Sequence, residues 1–255
     1  MNYKKSPLKW VGGKGKVLEQ IFELPHFKDL SKYDAYVEPF VGGGNVFLNV
    51  DHDNIIVSDN NKDLIDFYYD VKYEINEVIR EGKQLFKDIS EDSYYSNRII
   101  FNARGTDKSA LFLYLNKVGF RGLCRYSEKT GFNVSYGHYN TVYFPEKELI
   151  ELHKKLQNVR LFNNDFEITM NMFHGKNLLY VDPPYVNTFS NYTEKGFSLK
   201  DHEKLNQLSL NSENDIIISN STKAKEIYTP NQSIDIDTKR GMGKERTAKE
   251  CFLIY

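Results

Sequence analysis

Asp182-Pro183-Pro184-Tyr185 is the stretch whose residue types could do chemistry on a flat, amino-bearing ring. The Asp182 carboxylate can accept a hydrogen bond from an exocyclic amino group. Carbonyls of the proline segment can accept a second, because proline keeps its C=O. Tyr185 and the proline rings can sandwich a planar base, a contact worth about 1–3 kcal/mol. Such a pocket suits an aminopurine or aminopyrimidine with its nitrogen lone pair turned out of the ring's conjugation. The competing reading is structural: a strand-ending turn with a helix-capping Asp182 and a core Tyr185.

The elements that must hold these residues are legible around them. The apolar run Asn177–Val181 reads as a central strand of an α/β sheet. Two prolines cannot continue it, since each lacks a backbone N–H and has its φ fixed. The strand therefore stops at Asp182 and leaves Asp182 and Tyr185 on a stiff loop beyond its carboxyl end, where open α/β sheets bind ligands.

Other strand tips repeat the arrangement. Ala35–Glu38 runs into Phe40 and the glycine turn Gly42-Gly43-Gly44, with a helix expected from near Asn45. The glycines let a ligand approach the backbone closely, and a nucleoside-bearing cofactor is the natural occupant. An unoccupied tight turn is the alternative. The strand Asn54–Asp59 ends in an acid about 20 residues after Glu38, placed to accept from ribose hydroxyls or to cap a helix beginning near Asn61. Asp165, after the strand Val159–Phe162, could accept from an adenine amino group or cap the next helix. Near the start, Trp10, Gly12, Gly13 and Lys14 precede an amphipathic run from Val17 to Leu24. That pattern suits an anion or a flexible basic loop, and it is not a Walker A motif.

Residues from about 61 to 120 lose strand character. Leu64, Ile65, Phe67, Tyr68, Val71, Ile75, Val78 and Ile79 recur at helical spacing, and a further helix is expected over Lys108–Val118. Beyond it, turn residues Lys129-Thr130-Gly131 lie between two aromatic-rich arms, a hairpin pattern carrying Arg121 and Arg125. Such a hairpin suits a DNA groove, where arginine reads guanine and rings wedge into a stack; a solvated surface hairpin is the alternative. After Pro145 the α/β pattern returns with a helix over Glu146–Leu156. A polar loop from Asn187 to Phe197, a helix near Leu199–Leu208, the strand Asp215–Asn220, a basic segment Lys239–Arg246 and a terminal strand Cys251–Tyr255 follow.

Composition bounds the rest. The 255 residues allow one large or two small domains, and 18 Tyr and 17 Phe must pack or stack. Lys plus Arg (34) nearly cancels Asp plus Glu (35), so any basic face is local. Cys124 and Cys251 lack metal-site spacing, so no metal is expected, and their small number fits a reducing cytoplasm. No signal-peptide pattern and no apolar run of about 18 residues occurs, so a soluble cytoplasmic protein without membrane contact is the expectation.

Together these residues resemble the Dam-type DNA adenine-N6 methyltransferases, the α group of amino methyltransferases. The resemblance runs from Leu8-Lys9-Trp10 to Arg246. It passes through Glu38-Pro39-Phe40-Val41-Gly42, Val57-Ser58-Asp59, Gly122-Leu123-Cys124-Arg125, Phe132-Asn133-Val134, Asp182-Pro183-Pro184-Tyr185 and Ile218-Ser219-Asn220. It implies S-adenosylmethionine as methyl donor and a Rossmann-like α/β sheet of residues 1–59 and 145–255. A helical target-recognition insert of residues 60–144, bearing the hairpin, would split that sheet. It implies Trp10 and Lys14 at the donor's methionine part, Glu38, Phe40 and Gly42 lining the donor, Asp59 on the ribose, and Asp165 and Phe166 at the donor's adenine. Asp182 would hold the target amino group and Tyr185 would stack on a flipped base, with Pro183 and Pro184 between them. Lys9, Phe120, Arg121, Leu123, Arg125, Asn133 and Ser135 would address double-stranded DNA. Lys9, Leu123 and Arg125 agree with the pattern that reads GATC, whereas Arg121 stands where asparagine is usual and Ser135 where proline is usual. The enzyme is expected as a monomer or weak dimer, serving in a restriction–modification pair, as an orphan regulator or in a phage. Cytosine-C5 chemistry is disfavoured because neither cysteine follows a proline. A catalytically silent DNA-binding regulator and a nucleotide-dependent oxidoreductase are the rivals. The latter is weakened because 42–44 is a plain glycine triplet rather than Gly-x-Gly-x-x-Gly.

Overall fold

A computed structural model describes residues 2–105, 108–186, 197–239 and 247–255. Residues 187–196 of the expected loop Asn187–Phe197 and residues 240–246 of the expected basic segment Lys239–Arg246 fall outside these.

The N-terminal segment folds into helices α1 (Leu18–Glu23) and α2 (Pro25–Lys28) and leads into strand β1 (Ala35–Glu38). Strand β2 (Ile55–Ser58) is followed by four helices, α3 (Lys62–Tyr73), α4 (Ile75–Leu85), α5 (Glu91–Ala103) and α6 (Ser109–Val118). A short hairpin, β3 (Tyr126–Ser127) and β4 (Gly131–Phe132), precedes α7 (Glu146–Leu156), β5 (Val159–Phe162), α8 (Phe166–Met172) and β6 (Asn177–Val181). The chain ends with α9 (Leu199–Leu210), β7 (Asp215–Ser221), β8 (Gln232–Lys239) and β9 (Thr247–Ile254).

Among the described residues, seven strands form one sheet in the order β5-β2-β1-β6-β7-β9-β8. The pairs from β5 to β7 are parallel, and β9 and β8 are added antiparallel at one edge. This is the α/β sheet that the apolar strand runs implied, with the Rossmann-like character that the resemblance implied. The strand order reverses between β1 and β6, so a crevice opens at their carboxyl ends. Both strands are buried along their whole length, as apolar runs covered on both faces must be.

Alternation along the strands sends side chains to two cores. Tyr36, Leu178, Tyr180, Ile217 and Phe252 face a large core shared with residues of α1, α3, α4, α5, α6 and α7. Val37, Leu179, Val181, Ile216 and Ile218 face a second core closed by α8 and α9. The helices between β2 and β5 therefore share one continuous apolar cluster with a sheet face. Among the described residues, no helix is long and apolar enough to cross a membrane.

Local structure departs from expectation in four places. The helix expected from Asn45 is a single 3-10 turn, Phe47–Asn49. Gly44 turns the chain at φ 73°, and the Phe47 N–H is spent on the Glu38 carboxylate rather than on a helical ladder. The hairpin ladder has only the pairs Tyr126↔Phe132 and Ser127↔Gly131, with Gly131 in the ladder at φ 63° rather than in the turn. Helix α5 was not foreseen, because only Tyr94 and Phe101 are buried along it. Strand β8 is a further difference: Ile234 and Ile236 alternate with Asp235 and Asp237, the period of an edge strand, and only the pairing with β9 makes it part of the sheet.

Candidate active site

The crevice between β1 and β6 holds a cavity of about 540 Å³, within the ordinary range for a small-molecule site of roughly 300–1,000 Å³. Its floor and walls unite the three motif regions. Trp10, Lys14, Glu38, Phe40, Gly42 and Asp59 line one part, and Asp182, Pro183, Pro184 and Tyr185 line another. Leu123 and Arg125 also belong to the lining.

The glycine turn is built for close approach. Gly42 has φ 46°, and a Cβ there would sit 2.7 Å from Trp10 Nε1. A Cβ on Gly43 would sit 2.6 Å from Trp10 Cβ. The indole therefore lies directly on the backbone of the turn, which only hydrogen at those positions permits. Tyr68 donates its hydroxyl to the Gly42 carbonyl at 2.7 Å. Asp59 accepts the Gly42 N–H through Oδ2 and the Asn61 N–H through Oδ1, both at 3.0 Å. Helix α3 is capped by Asn61, whose side chain accepts from Leu64 N. Asp59 thus ties the glycine turn to the second strand, and burial pushes its carboxyl up to about 6 despite those backbone donors.

Glu38 is buried at the tip of β1, and its Oε1 accepts from the Tyr36 hydroxyl at 2.7 Å. Burial is the main cause that raises its carboxyl to about 8; the nearby Asp182 charge adds to it, and the hydrogen bonds from Tyr36 and Phe47 oppose it.

Lys14 follows a tight turn in which Gly12 has φ 77°. Its side chain is 4% exposed, and its ammonium lies 2.6 Å from Asp182 Oδ1. It also donates to the Gly12 carbonyl at 2.7 Å and lies 4.9 Å from the centre of the Tyr185 ring. The anion that the lysine–glycine segment meets is the protein's own Asp182. Burial opposes the Lys14 charge, but Asp182, Tyr180 and Glu250 outweigh it and hold its pKa above the usual lysine value. Burial raises Asp182 to about 6, against the pull of Lys14. Tyr185 points its hydroxyl away from Lys14, donating to Glu250 Oε2 at 2.6 Å. Burial and the acids Asp182 and Glu250 raise its pKa, so the phenol stays a donor.

Asp165 and Phe166 lie outside the cavity lining. Asp165 is exposed and caps α8, accepting from Glu167 N, while the Phe166 ring stacks on Phe40 with centroids 5.3 Å apart. Lys9, Phe120, Arg121 and Ser135 meet on the surface around Tyr139. The Lys9 ammonium sits 3.9 Å over the Tyr139 ring and donates to the Lys117 carbonyl. Arg121, at φ 58°, donates its backbone N–H to the Tyr139 hydroxyl, and Phe120 N–H bonds the Ser135 carbonyl. Arg125 is held by Asn133, with Nε 2.6 Å from Asn133 Oδ1.

The sequence model of the D12 class N6 adenine-specific DNA methyltransferases matches residues 10–242. The chain belongs to this family. The DNA adenine methylase of Serratia marcescens is 37% identical over 226 residues, covering 84% of this chain and 82% of that protein. The DNA adenine methylase of Haemophilus influenzae is 37% identical over 238 residues, covering 87% and 82%. That of Escherichia coli (strain K12) is 36% identical over 210 residues, covering 79% and 74%. As a D12-class enzyme the protein transfers a methyl group to adenine in DNA.

For that reaction an adenine-specific methyltransferase needs an acceptor for an amino group beside a pocket for a second molecule, and one cavity here contains both. Two partners of this site escaped sequence reasoning. Tyr36 carried a readable signal, lying two residues before Glu38 on the same strand face. Glu250 carried none, because it reaches Tyr185 only through the pairing of β9 with β7.

Proposed function

We propose that the methyl donor is S-adenosylmethionine and that the target is an adenine, swung out of duplex DNA, within GATC. The observation that carries this reading is the single cavity in which Asp182 and Tyr185 face the Trp10-covered glycine turn. The donor set fits the cosubstrate: the buried acid Glu38 and the half-buried Asp59 suit a positively charged methionine part and ribose hydroxyls, and a Cβ on Gly42 or Gly43 would displace the Trp10 wall of the cradle. Bound there, the donor supplies a methyl carbon already activated on a positive sulfur.

The protein's own part is to bind, orient and neutralise. Asp182 accepts from the amino group of the target and offsets the charge that develops on that nitrogen in the transition state. Tyr185 stacks on the extruded ring, which compensates part of the few kcal/mol that extrusion costs. Pro183 and Pro184 keep acid and ring at fixed spacing and contribute carbonyl acceptors. Trp10 and Lys14 flank the methionine part, Glu38, Phe40 and Gly42 line the donor, and Asp59 takes the ribose. Phe166 acts through Phe40, on which it stacks, and Asp165, outside the cavity, acts by capping α8 beneath that ring.

Residues 60–144 serve as the target-recognition part. Lys9, Leu123 and Arg125 read the site, Asn133 orients Arg125, and Phe120, Arg121 and Ser135 contact flanking bases or phosphates. The continuity of Leu123 and Arg125 with the catalytic cavity supports this division of labour. Plasmid DNA incubated with labelled S-adenosylmethionine tests the whole. The expected result is label in N6-methyladenine, with resistance to a GATC cutter blocked by adenine methylation and sensitivity to one that requires it. Label at other sequences would remove the GATC assignment.

A further inference from the structure

The ring of Tyr185 is held from behind by the antiparallel edge of the sheet. Its hydroxyl donates to Glu250 Oε2 at 2.6 Å, while Ser219 Oγ lies farther away at 3.4 Å. The other carboxylate oxygen, Oε1, accepts from the Thr238 hydroxyl at 3.2 Å. Glu250 stands on β9 opposite Ser221 of β7 and Ile236 of β8, so three strands fix its position. The loop leaving Tyr185 is fixed from the same side, with Val186 N–H bonded to Asn220 Oδ1 at 3.2 Å. The face of the ring looks toward the Lys14 ammonium, which is paired with Asp182.

We propose that Glu250 is a positioning residue for methyl transfer, setting the plane of the Tyr185 ring against the target base. The proposal rests on the reading that Tyr185 stacks on an extruded adenine. A phenol ring rotates in a broad, two-fold well about its last side-chain torsion, so stacking alone does not hold its plane. A hydrogen bond to a carboxylate is shorter and stronger than a neutral one and fixes the far end of the ring. Thr238 orders the carboxylate in turn. The β8–β9 edge, which contributes nothing to the wall where Glu38 and the glycine turn sit, thereby acquires a function in the reaction.

The test uses the full chain under single-turnover conditions with labelled S-adenosylmethionine and a GATC duplex, alongside the dissociation constant for the same duplex. Glu250→Ala is expected to lower the single-turnover rate on the order of tenfold or more while DNA affinity stays within about twofold. Glu250→Gln, which keeps an acceptor, is expected to restore most of the rate. In a Tyr185→Phe background, Glu250→Ala is expected to add no further loss, because the bond it serves is already gone. Thr238→Val, which leaves Glu250 in place, is expected to give a smaller loss. A wild-type rate for Glu250→Ala, a loss that multiplies with that of Tyr185→Phe, or no recovery with Gln would overturn the proposal. A wild-type rate for Tyr185→Ala would instead remove the stacking reading beneath it, whatever Glu250 does.

Discussion

The Lys14 ammonium lies 2.6 Å from Asp182 Oδ1 and stands over the Tyr185 ring. The lysine therefore engages one Asp182 oxygen and lies against the Tyr185 ring, beside the place where the target amino group is proposed to bind. It also favours the charged form of the partly buried Asp182 carboxylate.

Removing one partner of such a pair leaves the other charge buried and alone. Asp182→Ala is expected to lower methyl transfer by about 10²–10³-fold or more, the range for losing one preorganised electrostatic partner. It should also destabilise the fold by about 3–5 kcal/mol, visible as a thermal midpoint lower by on the order of 10 °C. Adding Lys14→Met to that variant is expected to recover much of the stability and none of the activity. An active Asp182→Ala enzyme would falsify the catalytic assignment.

Glu38 gives the site a pH signature. Its carboxyl is raised to about 8 by burial, with Asp182 adding. An acid raised in the folded state contributes stability that is full below its unfolded value and is lost as pH rises through the folded one. The thermal midpoint of the ligand-free protein is therefore expected to fall between about pH 5 and pH 8, and Glu38→Gln to flatten that slope. A positively charged donor lowers the Glu38 pKa, so its binding near neutral pH should release a proton. Calorimetry in buffers of different ionisation enthalpy measures this; heats independent of buffer would contradict it.

The contact of Trp10 with the glycine turn is tested by Gly43→Ala. The added methyl would lie 2.6 Å from Trp10 Cβ, so the indole must move. Trp10 is the chain's one tryptophan, and its emission reports the displacement directly. Donor affinity is expected to fall about fivefold to a hundredfold, the equivalent of roughly 1–3 kcal/mol of overpacking. Unchanged emission would mean that the turn absorbs the methyl.

On the DNA side, Arg125 and Arg121 are expected to behave differently. Arg125→Ala should weaken binding to a GATC duplex by about 1–3 kcal/mol and relax discrimination at one base pair. Asn133→Ala, which frees the Arg125 guanidinium, should give a smaller loss of the same kind. Arg121→Ala should weaken all duplexes alike and reduce the salt slope by about 1. Binding isotherms on single-substitution duplexes at several salt concentrations separate these outcomes.

Much of the site was written in local order, because short-range rules suffice for it. Two prolines after Asn177–Val181 force a strand to end at Asp182, and the structure ends β6 at Val181. Apolar residues at helical spacing gave α7 over Glu146–Leu156, and an acid before three glycines marked the tip of β1. Local order did not carry what depends on neighbours distant in the chain. The glycine turn continues as a 3-10 turn because Glu38 takes the Phe47 N–H. Asn61 rather than Asp59 caps α3, because the Gly42 N–H binds Asp59 first. The Lys14–Asp182 pair exists only because the N-terminal turn packs against the tip of β6, and the Tyr185–Glu250 bond only because the sheet order sets β9 beside β7. Residue types and spacing specify which groups a strand tip presents; only the packing of strands against one another decides which of those groups meet.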